Sequence, residues 1–203
     1  MSMRLISWDS LKNQEISPVP DGMSTALTIG VFDGLHRGHR QLIAKITEKS
    51  PKYLPTVVTF RENPKKSPFL LENDLSFKDI IDFDEKTALL DGYGIALCVI
   101  IDFSEYFSKI SGRAFLEALR LYLRPAYIGL GVNFHCGYKR DTDAETFKTL
   151  AESLGIEAEI IPPVMEGGLP VSSSRIRAAL KKGNTEEAAL LIGRPAELYS
   201  SGV

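Results

Sequence analysis

Apolar residues in this chain follow two alternating patterns. Short, nearly continuous runs rich in β-branched residues recur at 26–31, 56–60, 95–101, 125–131 and 156–161. Each has the length and composition of a strand covered on both faces. Between them, apolar positions recur at helical spacing. Leu42, Ile43 and Ile46 stripe a helix that begins near His39 and runs to about residue 49. Ala88, Leu89 and Leu90 form the apolar face of a helix over 84–93, stopped by Gly92 or Gly94. Ser111 is placed to cap a helix through Leu123. Asp141 or Thr142 opens one through Leu154, ended by Gly155. Helices over 171–182, capped by one of Ser172, Ser173 and Ser174, and over 184–192 close the chain. A short first strand is predicted at 3–8, and loops at 13–23 and 61–76, which carry Pro18, Pro20, Pro64 and Pro68.

Strand–helix–strand succession predicts parallel pairs with right-handed crossovers, hence an α/β fold with a doubly wound parallel sheet. Such sheets bind ligands beyond the carboxyl ends of their strands. The turn after 26–31 and the loops at 61–64 and 133–138 all follow strands, so all three are predicted to face one crevice. At 203 residues, one domain of ordinary size over 1–203 is expected. A net charge of −2 gives no general attraction to nucleic acid or anionic membranes. Two distant cysteines, Cys98 and Cys136, make neither a disulfide framework nor a zinc spacing, which points to a reducing, cytoplasmic setting. No run is long enough for a signal peptide or a membrane span. The oligomeric state is left open.

The chemistry concentrates in Thr28-Ile29-Gly30-Val31-Phe32-Asp33-Gly34-Leu35-His36-Arg37-Gly38-His39. Strand, glycine turn and helix N-terminus together present backbone N–H groups to a phosphate. Glycines after a strand more often mark only a tight turn. Two of the chain's three histidines fall in this turn, however, as donors able to gain charge as a phosphate becomes more negative. A second anion element is Val171-Ser172-Ser173-Ser174-Arg175-Ile176-Arg177. It sets hydroxyls and guanidiniums at a predicted helix start, although serines also cap helices and arginines also lie on solvated faces.

His36-Arg37-Gly38-His39 resembles the H-x-G-H signature of the nucleotidyltransferase superfamily. The longer string resembles the FMN adenylyltransferase module of prokaryotic riboflavin kinase/FAD synthetases. The similarity runs nearly the length of the chain. The segment 171–177 is similar to the family's V-S-S-T/S-x-I-R, and Leu191-Ile192-Gly193-Arg194-Pro195 to its L-G-R-P-Y, with Ala196 in place of the aromatic. Val58-Thr59-Phe60 with Asn63-Pro64, Ile101-Asp102-Phe103 with Phe107-Ser108, and Gly131-Val132-Asn133-Phe134 with Gly137 match further segments.

The resemblance implies a Rossmann-like nucleotidyltransferase that moves AMP from MgATP to FMN, giving FAD and pyrophosphate. It implies that His36 and His39 bind the phosphates of ATP and of the transition state, and that Arg175 with Ser173 holds the leaving β- and γ-phosphates. Gly30, Phe32, Asp33, Gly34, Gly38, Ser172 and Arg177 fall in the ATP site. Phe60, Asn63, Pro64, Asn133, Cys136 and Tyr138 fall in the FMN site. Magnesium would bridge phosphate oxygens with few protein ligands, Asn133 being a candidate through water. Departures lie in the flavin half: Glu62 and Asn63 replace Pro and His, and His135 and Cys136 replace Arg and Phe, while Tyr138 offers another stacking surface. The family's kinase module is expected just after Pro195. Residues 194–203 then read as the remnant of a linker, and the chain as a stand-alone adenylyltransferase or a truncation. Two alternatives stay open: a nucleotidyltransferase of the same fold with another acceptor phosphate, and a non-catalytic nucleotide- or flavin-binding protein.

Overall fold

The buried runs pair into a six-stranded sheet in the computed structural model, which describes residues 2–13, 17–70, 74 and 77–195. In chain order the elements are β1 (Arg4–Ser7), α1 (Trp8–Lys12), β2 (Thr25–Ile29), α2 (Arg37–Thr47) and β3 (Leu54–Phe60). A 3-10 turn (Pro64–Lys66), α3 (Phe83–Gly92), β4 (Leu97–Ile101), α4 (Glu105–Ser108), α5 (Gly112–Leu123) and β5 (Pro125–Gly131) follow. Then come β6 (His135–Cys136), β7 (Thr142–Asp143), α6 (Ala144–Ser153), β8 (Glu157–Ile161), β9 (Met165–Glu166), β10 (Leu169–Pro170), α7 (Ser173–Lys181) and α8 (Thr185–Ile192).

The sheet order is β1-β4-β3-β2-β5-β8, and each neighbouring pair is parallel. The chain leaves β2 toward β3 on one side and later returns to β5 on the other. The carboxyl end of β2 is therefore the switch point, where an open α/β sheet forms its ligand crevice. Side chains alternate across the sheet. Ala26, Val57 and Cys98 pack with α2, α3, α7 and α8, whereas Leu27, Val58 and Val99 pack with Trp8 and with α5 and α6. Two interior strands, β2 and β4, are buried throughout, which is why they read as unbroken apolar runs.

Several boundaries differ from expectation, each for a local reason. The first strand stops at Ser7, whose hydroxyl caps α1, a helix the sequence reading missed. Helix α2 starts at Arg37 rather than near His39, because His36 is its cap. Helix α6 starts at Ala144, since Asp143 caps it and Thr142 is taken into the β6–β7 ribbon. In α3, Ala88 is exposed and Lys86 is buried, with Nζ donating to the Phe60 carbonyl at 2.6 Å. The hairpins β6–β7 and β9–β10 and the single turn of α4 are too short to carry a pattern. Arg194, placed in a linker remnant by the sequence reading, is packed into the domain with its side chain 16% exposed. Residues 196–203 of that remnant, with 14–16, 71–73, 75 and 76 of the predicted loops, lie outside the described residues. No helix among the described residues is long and apolar enough to cross a membrane. Both cysteines are free thiols.

Candidate active site

The turn leaving β2 is held in a conformation that ordinary residues resist. Phe32 (φ +54°), Gly34 (φ +80°) and Leu35 (φ +38°) are left-handed. A left-handed non-glycine residue costs about 1–2 kcal/mol. Phe32 and Leu35 are both fully buried, and burying such a side chain contributes roughly 1.5–3 kcal/mol, which offsets that cost. Gly30 is needed beneath the Phe32 ring, whose carbons stand 3.2 Å from where a Cβ would lie. Asp33 ties the turn to two other segments. Its Oδ1 accepts from the Ile80 N–H at 2.8 Å, its Oδ2 pairs with the Arg177 guanidinium, and its carbonyl accepts from the Ser173 hydroxyl at 2.9 Å.

His36 caps α2 through its own ring, Nδ1 accepting from the His39 N–H at 3.3 Å. In a neutral imidazole an accepting Nδ1 leaves the proton on Nε2. The His36 and His39 rings stack, with centroids 3.6 Å apart and planes 15° from parallel. Phe32 packs edge-on against His39, centroid to centroid 5.2 Å. Burial pushes His36 down to about 4, and burial together with His36 holds His39 well below the usual histidine range. Both rings are therefore neutral at pH 7. The Nδ1 of His39 is buried without a hydrogen-bond partner. Gly38 keeps room for this pair, since a Cβ there would lie 3.2 Å from Cε1 of His36.

Ser172 caps α7 by accepting from the Arg175 N–H. Ser173, Ser174 and Arg177 then line a cleft of about 180 Å³ together with Val31, Phe32, Asp33, His39, Asn63, Lys65 and Phe77. Arg177 lies over the Phe77 ring at 4.0 Å, and burial lowers it to about 10, so it stays cationic at neutral pH. Arg175 does not line the cleft. Its guanidinium donates to Glu187 Oε1 at 3.0 and 3.1 Å and to the Glu166 carbonyl at 2.7 Å. Arg37, next to His36, is likewise paired with Glu166 at 2.5 Å.

The predicted flavin residues separate. Asn63 is buried, caps the 3-10 turn through the Lys65 N–H, and stands between the first cleft and a second of about 320 Å³. The second cleft is walled by Arg61, Phe69, Asp102 and Phe103 among others. Pro64 opens the 3-10 turn, and Phe60 packs edge-on against Phe103 and Phe107. Asn133, Cys136 and Tyr138 line neither cleft. Asn133 and Tyr138 are exposed, whereas Cys136 is half-buried, its thiol pushed up to about 12 by burial and by Asp141. Their loop is clamped to α5, Asp141 Oδ1 accepting from the Gly112 N–H at 3.0 Å. Gly137 (φ +84°) is required there, because a Cβ would fall 1.9 Å from the same oxygen. Among the described residues, no group of three His, Cys, Asp or Glu could hold a metal ion.

Sequence reasoning missed Val31, Lys65 and Phe77 in the cleft wall, and Arg194 behind it, whereas Ser174 falls within the second anion element it named. Arg194 donates to the Leu35 and Gly34 carbonyls at 3.1 Å each. It stands in the segment resembling L-G-R-P, a signal that was available. Phe77 carried none, since the Ile80–Asp33 bond anchors its segment from 47 residues away.

The FAD synthetase family model matches residues 20–175. The chain is similar to the bifunctional riboflavin kinase/FMN adenylyltransferase of Buchnera aphidicola subsp. Acyrthosiphon pisum. That match is 30% identical and covers 84% of this chain and 55% of the relative. It is 25% identical to the FAD synthetase of Listeria monocytogenes, over 93% of this chain and 75% of that one. Among solved structures it is similar to one titled macrolide-efflux protein from Streptococcus pneumoniae. The TM-score is 0.79 at 27% identity, covering 95% of this chain and 60% of that one. The chain thus spans about half the length of the bifunctional relatives it matches.

Proposed function

The chain belongs to the FAD synthetase family, and on that premise we propose that it is an FMN adenylyltransferase. In this reading it transfers AMP from MgATP to the phosphate of FMN and yields FAD and pyrophosphate. The observation that carries it is the meeting of the β2 turn and the α7 N-terminus at one cleft, with His39, Ser173, Ser174 and Arg177 in its wall. Helix N-termini offer unpaired N–H groups and the positive end of a dipole.

A phosphate oxygen of FMN attacks the α-phosphorus of ATP in line, and the bond from that phosphorus to the oxygen bridging to the β-phosphate breaks. Such transfer needs position and charge stabilisation rather than a protein nucleophile. His36 and His39 enter as neutral donors. A nearby phosphate raises their proton affinity, so their hydrogen bonds strengthen as charge builds on pyrophosphate. Ser173 and Arg177 hold phosphate oxygens, and Arg175 joins the β- and γ-phosphates once Glu187 releases it. Gly30, Phe32, Asp33, Gly34, Gly38 and Ser172 shape the backbone around the nucleotide. Asn133, just past the carboxyl end of β5, would be the residue to contact magnesium through water, and the ion would supply charge neutralisation on the phosphates of ATP. The flavin ring is assigned to the second cleft, where Asn63, between Phe60 and Pro64 in sequence, lines the wall. The two free thiols fit a reducing cytoplasmic setting.

Another acceptor phosphate is the second reading, favoured because Cys136 and Tyr138 line neither cleft. One assay separates the two: pyrophosphate release from MgATP with and without FMN, the flavin product identified by chromatography. FMN-dependent release with FAD as product is expected. ATP binding without FMN-dependent release would overturn FMN as the acceptor.

A further inference from the structure

We propose that Arg194 is a positioning residue for the nucleotide, fixing from behind the turn that carries His36. The proposal rests on the reading of the 180 Å³ cleft as an ATP site. Arg194 reaches back across 159 residues to hold the carbonyls of Gly34 and Leu35, one on each terminal nitrogen. These carbonyls lie in the left-handed part of the turn, which local preference does not favour. A trans peptide points its N–H opposite to its carbonyl. Holding the Leu35 carbonyl therefore orients the peptide that ends in the His36 N–H, and with it the start of α2.

Two further contacts keep Arg194 in place. Gly193 (φ +77°) ends α8 so tightly against α2 that a Cβ there would lie 2.3 Å from an Arg40 terminal nitrogen and 3.0 Å from Arg37 Cγ. The end of α8 thus rests on the first turns of α2. Glu85 on α3 stands 3.7 Å from the guanidinium and helps orient its fork. Arg194 is not in the cleft wall, so it acts through the turn and not on the phosphate. A loosened turn weakens bound ATP and misplaces the His36 donor, so KM for ATP rises and kcat falls with it, while FMN binding is untouched.

The experiment compares Arg194→Lys and Arg194→Ala with the wild type. Calorimetry gives Kd for MgATP alone, steady-state kinetics give KM for ATP and FMN, and thermal unfolding gives Tm. A lysine keeps the charge, but its ammonium cannot fork across two carbonyls. The lysine variant should bind MgATP about tenfold more weakly, the strength of one charge-assisted hydrogen bond, and the alanine variant more weakly still. KM for FMN should stay within about threefold, kcat should fall along with MgATP affinity, and Tm of the lysine variant should stay within a few degrees. Millimolar guanidinium should restore MgATP binding to the alanine variant. Unchanged MgATP affinity in both variants overturns the proposal. So does a loss that tracks Tm and is not restored by guanidinium, since that pattern belongs to general destabilisation. A wild type that binds MgATP but forms no FAD overturns only the acceptor reading, and the Kd comparison still decides the role of Arg194. A wild type that does not bind MgATP overturns both.

Discussion

The imidazole of His36 lies flat on that of His39, 3.6 Å from centroid to centroid, and burial keeps both rings uncharged. The folded protein therefore resists protons that the unfolded chain accepts. Below the ordinary histidine pKa of 6.5, the unfolded state gains a proton at His36 that the folded state does not take up until about 4. Stability from this site is fully present above pH 6.5 and falls between 6.5 and 4. The loss from His36 is roughly 3–3.5 kcal/mol for a shift of this size. His36→Asn, which keeps a capping acceptor but does not titrate, should flatten that part of the Tm-against-pH curve. An unchanged slope in the variant would show that the fall arises elsewhere.

Replacing either ring should separate chemistry from folding. His39→Ala should lower kcat for FAD formation by about a hundredfold, the usual effect of removing one donor to developing charge. His39 is not the cap of α2, so its loss should disturb Tm less than that of His36. Near-normal turnover in His39→Ala would remove this residue from the mechanism.

Gly38→Ala tests the room beside His36. In a helix, alanine is favoured over glycine by about 1 kcal/mol. The new methyl would sit 3.2 Å from the His36 ring, which must shift by a few tenths of an ångström. Turnover is expected to drop about tenfold while Tm is unchanged or higher, because misplacing a reacting group is penalised heavily in rate. Falling Tm with normal turnover would mean that the ring gives way freely.

Asp33→Asn keeps an acceptor for the Ile80 N–H but leaves Arg177 buried without its counter-charge. Removing one partner of a buried pair costs about 3–5 kcal/mol. Urea unfolding should show a loss of that size. A loss below about 1 kcal/mol would place the pair with surface ion pairs instead.

Glu187→Gln tests which partner Arg175 prefers. The Arg175–Glu187 pair is partly exposed, so its loss should change stability by less than about 1 kcal/mol. A released Arg175 should lower KM for ATP about two- to fivefold, a gain well within one charge-assisted contact. An unchanged KM would leave Arg175 as a tie between α7, α8 and the β9–β10 hairpin.

The sequence by itself determined the six strands of the main sheet and the starts of α5, α7 and α8, because those signals are local. β2 and β4 are apolar throughout since both faces are covered, and Ser111, Ser172 and Asn184 each cap a helix by accepting a hydrogen bond from an N–H three residues on. The glycines and histidines of 30–39 were legible for the same reason. Tertiary structure alone decided which side chains meet. Spacing made Arg175 and Arg177 equivalent anion ligands. The fold gave Arg177 to Asp33, 144 residues away, and to the cleft, and gave Arg175 to Glu187. It also made the histidines neutral, buried Lys86 under the end of β3, and brought Phe77 and Arg194 to the turn after β2. Charge state and partner choice depend on desolvation and on competition among distant groups. Both exist only once the sheet has closed around them.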